Sequence, residues 1–190
     1  MLTHLKFPFI FDPLGLRADL EKISPDEWIP HFNRAYYEGE WSAAALRSIG
    51  GVSTQIYPDP AAQQPFADTQ LLDRCPYLRE VLQTFECPQQ SVRLLRLRAG
   101  SSIREHKDYN LGFEDGEVRL HIPVRTDSAV EFFLAGERVL MNEGETWYLN
   151  FNLPHRVENR STQDRVHLVI DCTVNDWLRG QFDTARERSA

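Results

Sequence analysis

The run His106-Lys107-Asp108 places an imidazole and a carboxylate two residues apart. Side chains two apart on a strand leave the same face, so this pair can converge on one point. Together they supply two of the three groups of a 2-His-1-carboxylate site, which holds non-haem Fe(II) with coordination positions left open. In a chain with six histidines such a pair arises easily by chance, so its weight depends on its surroundings. His155 follows 47 residues later, just past the turn-like Asn152-Leu153-Pro154, and Arg165 comes ten residues after that. Arg165 opens the apolar strand 165–171. An arginine facing a buried interior needs an anionic partner, because an unpaired buried charge is costly. Its planar fork suits a carboxylate bound through both oxygens. The order of His106, Asp108, His155 and Arg165 is therefore coherent as an iron site joined to a dicarboxylate anchor.

Other polar residues carry less. A buried strand histidine is about as often a hydrogen-bonded core residue as a ligand, and His167, on the face of Arg165, reads as core or as support for the site. Trp147 and Tyr148 point to opposite faces, and core packing is expected of the inward one. Arg96 and Arg98 share a face that is expected to be solvated. Cys172 reads as a small hydrophobe, and Glu114-Asp115-Glu117 as a solvated turn.

The elements that must position these residues change character near residue 90. Before it the patterns read as helical and broken by prolines: 14–23, then 28–37 after the start signal Ser24-Pro25-Asp26-Glu27, then 69–85 divided at Pro76. Residues 50–68, with Gly50-Gly51, Pro58, Pro60 and Pro65, form a long connection, as fitting for a lid as for a plain surface loop. From Val92 onward come short strands punctuated by turns: 92–98, 103–108, 117–125, 130–134, 137–141, 146–151, 155–159 and 165–174. Ala135-Gly136 and Asn142-Glu143-Gly144 are the hairpin turns. Many short strands without long helices between them predict an antiparallel barrel or jelly roll, whose mouth can hold a ligand. Residues 175–188 read as a closing helix. The expected fold is α+β in a single domain, residues 1–190. Its parts are a helical N-terminal part (1–90), a β-barrel core (91–174) and a C-terminal helix (175–190).

Composition sets outer bounds. A chain of 190 residues is long enough to bury a substantial core without staples. A net charge of -7 argues against a general nucleic-acid binder. Three cysteines give no disulfide framework. No apolar run approaches about 18 residues, and FPFIF (7–11) is too short to span a bilayer, so a cytoplasmic protein without membrane contact is expected.

Three stretches, RLRAGSSIREHKD (96–108), VRLHIPV (118–124) and GETWYLNFNLPHRVENRSTQDRVHLVIDC (144–172), resemble the aspartyl/asparaginyl β-hydroxylase family of Fe(II)- and 2-oxoglutarate-dependent dioxygenases in order and spacing. The likeness covers roughly residues 90–175. It implies a double-stranded β-helix, a cupin-like jelly roll preceded by helices. It further implies Fe(II) on His106, Asp108 and His155, and the distal carboxylate of 2-oxoglutarate on Arg165. Arg119 and His121, two apart on VRLHIPV, would approach this cosubstrate from the opposite wall. The family's chemistry uses O2, converts 2-oxoglutarate to succinate and hydroxylates an unactivated carbon. Animal protein-hydroxylating members lack the carboxylate ligand, whereas Asp108 is present here, as in the family's free-proline hydroxylases. Those carry a further C-terminal helical region, so the substrate stays open between an aspartyl or asparaginyl residue in a peptide and a free amino acid or small metabolite. Two further readings remain: a non-catalytic barrel binding a small acidic ligand, and a zinc-bearing cupin-like enzyme.

Overall fold

The computed structural model describes residues 2–57, 59 and 61–189. The first strand, β1 (His4–Ile10), buries Leu5 and Phe7. The Asp12 carboxylate then accepts hydrogen bonds from the amides of Leu14 and Gly15, and with Pro13 behind it starts α1 (Pro13–Leu20). The segment expected as helix 28–37 is not one. Ser24-Pro25-Asp26-Glu27 does form a capped start, but the 3-10 turn it opens stops at Glu27. It is followed by β2 (Ile29–Pro30), a second 3-10 turn and β3 (Tyr37–Glu38). Pro30 explains the failure, since it cannot supply an amide inside a helix.

The expectation of a helical 1–90 fails more broadly at β4 (Trp41–Ile49), which lies inside the larger sheet between β2 and β6 (Gln89–Leu97). The sequence WSAAALRSI shows no alternation because both faces are covered, and its alanines imitate helix propensity. After β5 (Phe66–Asp68), helices α2 (Gln70–Asp73) and α3 (Pro76–Gln83) occupy the expected region, divided at Pro76. The remaining strands are β7 (Ser102–His106), β8 (Glu117–Arg125), β9 (Val130–Leu134), β10 (Glu137–Arg138), β11 (Glu145–Leu149), β12 (His155–Asn159) and β13 (Arg165–Thr173), followed by α4 (Asp176–Ser189). These follow the expected strands closely. The exceptions are β10, which ends at Arg138, and β7, which ends at His106, short of Asp108. Ala135 and Gly136 both take positive φ, 52° and 84°, to turn β9 into β10.

The strands form two antiparallel sheets. One has the order β1-β11-β8-β13-β6-β4-β2 with β5 on β4, and the other β10-β9-β12-β7-β3. Faced together, they make the double-stranded β-helix of the jelly-roll and cupin folds. Alternation assigns the two faces of the larger sheet. On β13, Val166, Leu168, Ile170 and Cys172 join the core beneath the helices, as do Val118, Leu120, Ile122 and Val124 of β8. That core also takes Leu16, Leu78, Leu82, Leu178 and Phe182 from the helices. Each such side chain contributes about 1.5–3 kcal/mol on full burial, which keeps the helices on the outer face. Arg119, His121, Arg165, His167 and Asp171 are left to point between the sheets. No described helix is long and apolar enough to cross a membrane.

Candidate metal centre and ligand cavity

Between the sheets lies a cavity of about 520 Å³, lined by His106, Asp108, His155, Arg119, His121 and Arg165 together with Arg93 and several aromatic rings. That is the usual size of a small-ligand site. His106 and His155 face each other across the β7–β12 pairing, with ring centroids 4.2 Å apart. Asp108 lies two residues past the end of β7, and its amide donates to the Phe151 carbonyl at 2.9 Å, which turns its side chain back towards the rings. One donor atom from each of His106, Asp108 and His155 falls within 4.8 Å of the others.

Backbone carbonyls orient both imidazoles. Nδ1 of His106 lies 2.8 Å from the Arg104 carbonyl, and Nδ1 of His155 lies 3.0 Å from that of Leu153. A carbonyl oxygen only accepts, so each Nδ1 carries a proton, which leaves Nε2 as the atom through which either ring can bind a metal in its neutral form. Nε2 of His106 is 4.0 Å from Oδ1 of Asp108. Burial, assisted by the neighbouring His106, pushes His155 down to about 4, so it is neutral near pH 7. Two imidazoles that turn Nε2 to the cavity and a carboxylate beside them fit Fe(II) with open positions.

Arg165 is the second pole. It is 2% exposed, and burial alone pulls its guanidinium down to about 9. Its Nη2 donates to Nδ1 of His167 at 2.9 Å, and among the described residues its Nε has no partner and no carboxylate pairs with it. His121, expected like Arg119 on the opposite wall, lies instead on β8 beside β13 in the same sheet and completes this group. Its Nδ1 is 3.2 Å from the same Nδ1 of His167, and its buried Nε2 is unpartnered. Burial holds both rings well below the usual imidazole range. A buried cation beside orphaned polar atoms is a place made for an anion.

Arg119 lies in the cavity wall, but much of its fork is already committed. Nε and Nη2 hold Asp171 at 2.6 and 3.1 Å, and Nη1 holds Oδ2 of Asp108 at 2.6 Å. Burial opposes its charge, but Asp171 and Asp108 together outweigh that and hold the guanidinium firmly protonated.

The family model for aspartyl/asparaginyl beta-hydroxylase matches residues 14–174. The chain belongs to this family. Its β-hydroxylase kinship reaches a curated relative, the L-proline cis-4-hydroxylase of Rhizobium meliloti (strain 1021), which is 30% identical over 176 residues covering 90% of this chain. The chain spans 61% of that relative's length. Two solved structures share the fold at 14% identity. A 2OG-Fe(II) oxygenase-family oxidoreductase from Burkholderia pseudomallei matches with TM-score 0.56 over 86% of this chain and 81% of its own. A prolyl-4-hydroxylase from Pseudomonas putida gives 0.55 over 91% and 93%.

Several cavity residues were not legible as such in the sequence. Arg93, beside the solvated-looking Arg96 and Arg98, is 5% exposed and points inward. Asp171, near the end of the apolar strand β13, is buried behind Arg93 and Arg119 of the cavity wall; its even spacing from Arg165 and His167 was the available signal. His31 stacks on Trp41, centroids 3.7 Å apart, on the wall formed by the segment read as helix.

Proposed function

We propose that this protein is an Fe(II)- and 2-oxoglutarate-dependent hydroxylase of a free amino acid, with proline or a close analogue as first candidate. One observation carries the reading: the uncompensated buried cation of Arg165 shares a single cavity with the His106–Asp108–His155 cluster. A metal site alone fits many reactions. A metal site facing a buried guanidinium without an anion fits one that takes a diacid as co-reactant.

In this reading His106 and His155 bind Fe(II) through Nε2, and Asp108 through the carboxylate that Arg119 steadies. Arg165 takes the distal carboxylate of 2-oxoglutarate, with His167 accepting one of its hydrogens to fix the fork. Arg119, with three of its five N–H groups engaged, and His121 flank the keto acid. Bound iron with O2 supplies the oxidising power that hydroxylates a C–H bond as 2-oxoglutarate becomes succinate and CO2. The protein's own part is orientation and exclusion of water: Phe151 packs edge-on against His155 at 4.6 Å, and the His31–Trp41 stack walls the far side.

The free amino acid is favoured by the L-proline hydroxylase relative, by the Asp108 carboxylate, and by the cavity's roof. Ile56 and Tyr57, past the end of β4, line the cavity, whose volume of about 520 Å³ suits a small molecule. We read residues 1–190 as one domain, since β1 and β4 complete the sheet that carries Arg119 and Arg165.

Anaerobic protein given Fe(II) and 2-oxoglutarate should show the weak visible charge-transfer band of the chelate. Oxygen-dependent succinate should then form with L-proline or another free amino acid. Succinate formed only with aspartyl or asparaginyl peptides would move the substrate to protein. No band, with tight zinc binding instead, would favour the zinc-bearing barrel and overturn the proposal.

A further inference from the structure

Asp171 sits on β13 directly across from Arg119 of β8 in the sheet register. Its Oδ1 accepts from Nε of Arg119 at 2.6 Å. Its Oδ2 accepts from Nη2 of Arg119 at 3.1 Å and from Nη2 of Arg93 at 2.8 Å. One buried carboxylate thus holds two buried guanidiniums. Each guanidinium has a second task. Arg119 turns Nη1 to Oδ2 of Asp108 at 2.6 Å, while Arg93 turns Nη1 to the backbone carbonyl of Ile56 at 2.7 Å. Ile56 is itself buried, packed over Ala43 and Ala45, whose short side chains leave room for the loop.

We propose that Asp171 is a positioning residue with two arms: through Arg119 it sets the carboxylate of Asp108 for the metal, and through Arg93 it fastens the 50–57 loop over the cavity. The inference rests on the reading of Asp108 as a metal ligand. Its physical ground is that a guanidinium buried without an anion is costly and mobile, whereas one gripped through two N–H groups by a fixed carboxylate is pre-aimed. Two cations, Arg93 and Arg119, are balanced by two anions, Asp108 and Asp171. Asp171→Asn leaves Asp108 alone to neutralise both. Arg119 then follows Asp108 instead of steering it, and Arg93 loses the brace that holds it against Ile56. The oxygen of Asp108 that Arg119 does not hold is the one facing His106, so the arm leaves a free oxygen for the ion.

The test compares three variants of the full chain by two readouts. One is the dissociation constant for Co(II), a redox-stable probe followed by its visible bands. The other is amide hydrogen exchange in the 49–57 segment. Asp171→Asn should weaken Co(II) binding about 10–100-fold, the usual effect of losing a group that orients a ligand, and should speed exchange in the loop. Arg93→Gln should speed loop exchange with Co(II) affinity kept within a few-fold, because Arg119 still grips Asp171. Arg119→Gln should do the reverse. A purely structural Asp171 would lower thermal stability and leave the Co(II) constant of the folded variant unchanged, which would overturn the proposal. So would Arg93→Gln and Arg119→Gln acting alike on both readouts. If Asp171→Asn does not fold, that pair decides the matter alone. Failure of the underlying reading looks different: Asp108→Ala would bind Co(II) as tightly as the unaltered protein.

Discussion

Arg165 gives its Nη2 hydrogen to Nδ1 of His167 at 2.9 Å, so a fully buried guanidinium is held by a neutral ring and by no described carboxylate. Both side chains leave the same face of β13, and the strand's opposite face is packed with Val166, Leu168 and Ile170. The cation therefore cannot turn away to solvent.

Removing that cation should act in opposite directions with and without ligand. Arg165→Met replaces an uncompensated buried charge by an apolar side chain, which should raise the thermal midpoint of the ligand-free protein. The same change should cost about 2–5 kcal/mol of 2-oxoglutarate binding, at least a thirtyfold loss of affinity. Thermal shift with and without 2-oxoglutarate reads both. A variant still stabilised by 2-oxoglutarate as strongly as the unaltered protein would remove Arg165 as the anchor.

The metal donors make a sharper prediction about which histidines count. His106→Ala and His155→Ala should each abolish the visible bands of bound Co(II), because each deletes a lone pair aimed by its own carbonyl contact. His167→Ala should keep those bands, since its Nδ1 is occupied by Arg165, and should weaken 2-oxoglutarate binding through the loosened guanidinium. Loss of Co(II) in His167→Ala would mean that the donor set has been misassigned.

Backbone geometry fixes a stability prediction at Gly144. It holds φ of 79°, and a Cβ there would lie 2.1 Å from the carbonyl oxygen of Phe11. That same turn gives its own carbonyl to the Phe11 amide at 2.9 Å, joining the end of β1 to the start of β11. Gly144→Ala pays the left-handed strain of about 1–2 kcal/mol and must also part these two backbones. Urea denaturation should show a loss larger than the strain alone; a loss below about 1 kcal/mol would mean that the segment yields freely.

How much of this could be read in advance follows from which faces of each strand are covered. From β6 to β13 most strands are bounded by turns, and β8 alternates an apolar outer row with Arg119 and His121, so period and boundaries were both visible. Trp41–Ile49 is buried on both faces, and its alanines make room for Ile56, so neither alternation nor β-branched residues marked it. His106 and Asp108 do converge, yet not as neighbours on one strand: β7 stops at His106, and the Phe151 carbonyl brings Asp108 round. Arg93 and Asp171 were hidden for another reason. A charge in an apolar strand becomes meaningful only when its partner on the neighbouring strand is known, and sequence does not display register.

The buried imidazoles set how the metal-free protein responds to acid. Burial, then the charges of Arg93 and His106, pushes His31 from its usual 6.5 down to about 4, and His155 falls to about 4 for like reasons. Burial likewise holds His121 and His167 well below the usual imidazole range. An unfolded chain takes up these protons near 6.5, whereas the folded chain resists them, so the unfolded state binds more protons between 6.5 and about 4. Stability then rises with pH across that window: it is fully present above 6.5 and lost as pH falls towards 4, by up to about 1.4 kcal/mol per pH unit for each histidine. Carboxylates do not blur the upper part of the window. Glu145, for example, is held down to about 2; burial opposes its charge but is outweighed by Lys6, Asn142 and Trp147, so its contribution fades only below its ordinary value of 4.5. Urea midpoints of metal-free protein at pH 7.5, 6.5 and 5.5 should therefore fall a little over the first step and clearly more over the second. A flat profile through pH 5.5 would mean that these rings already accept protons in the folded state, His155 among them.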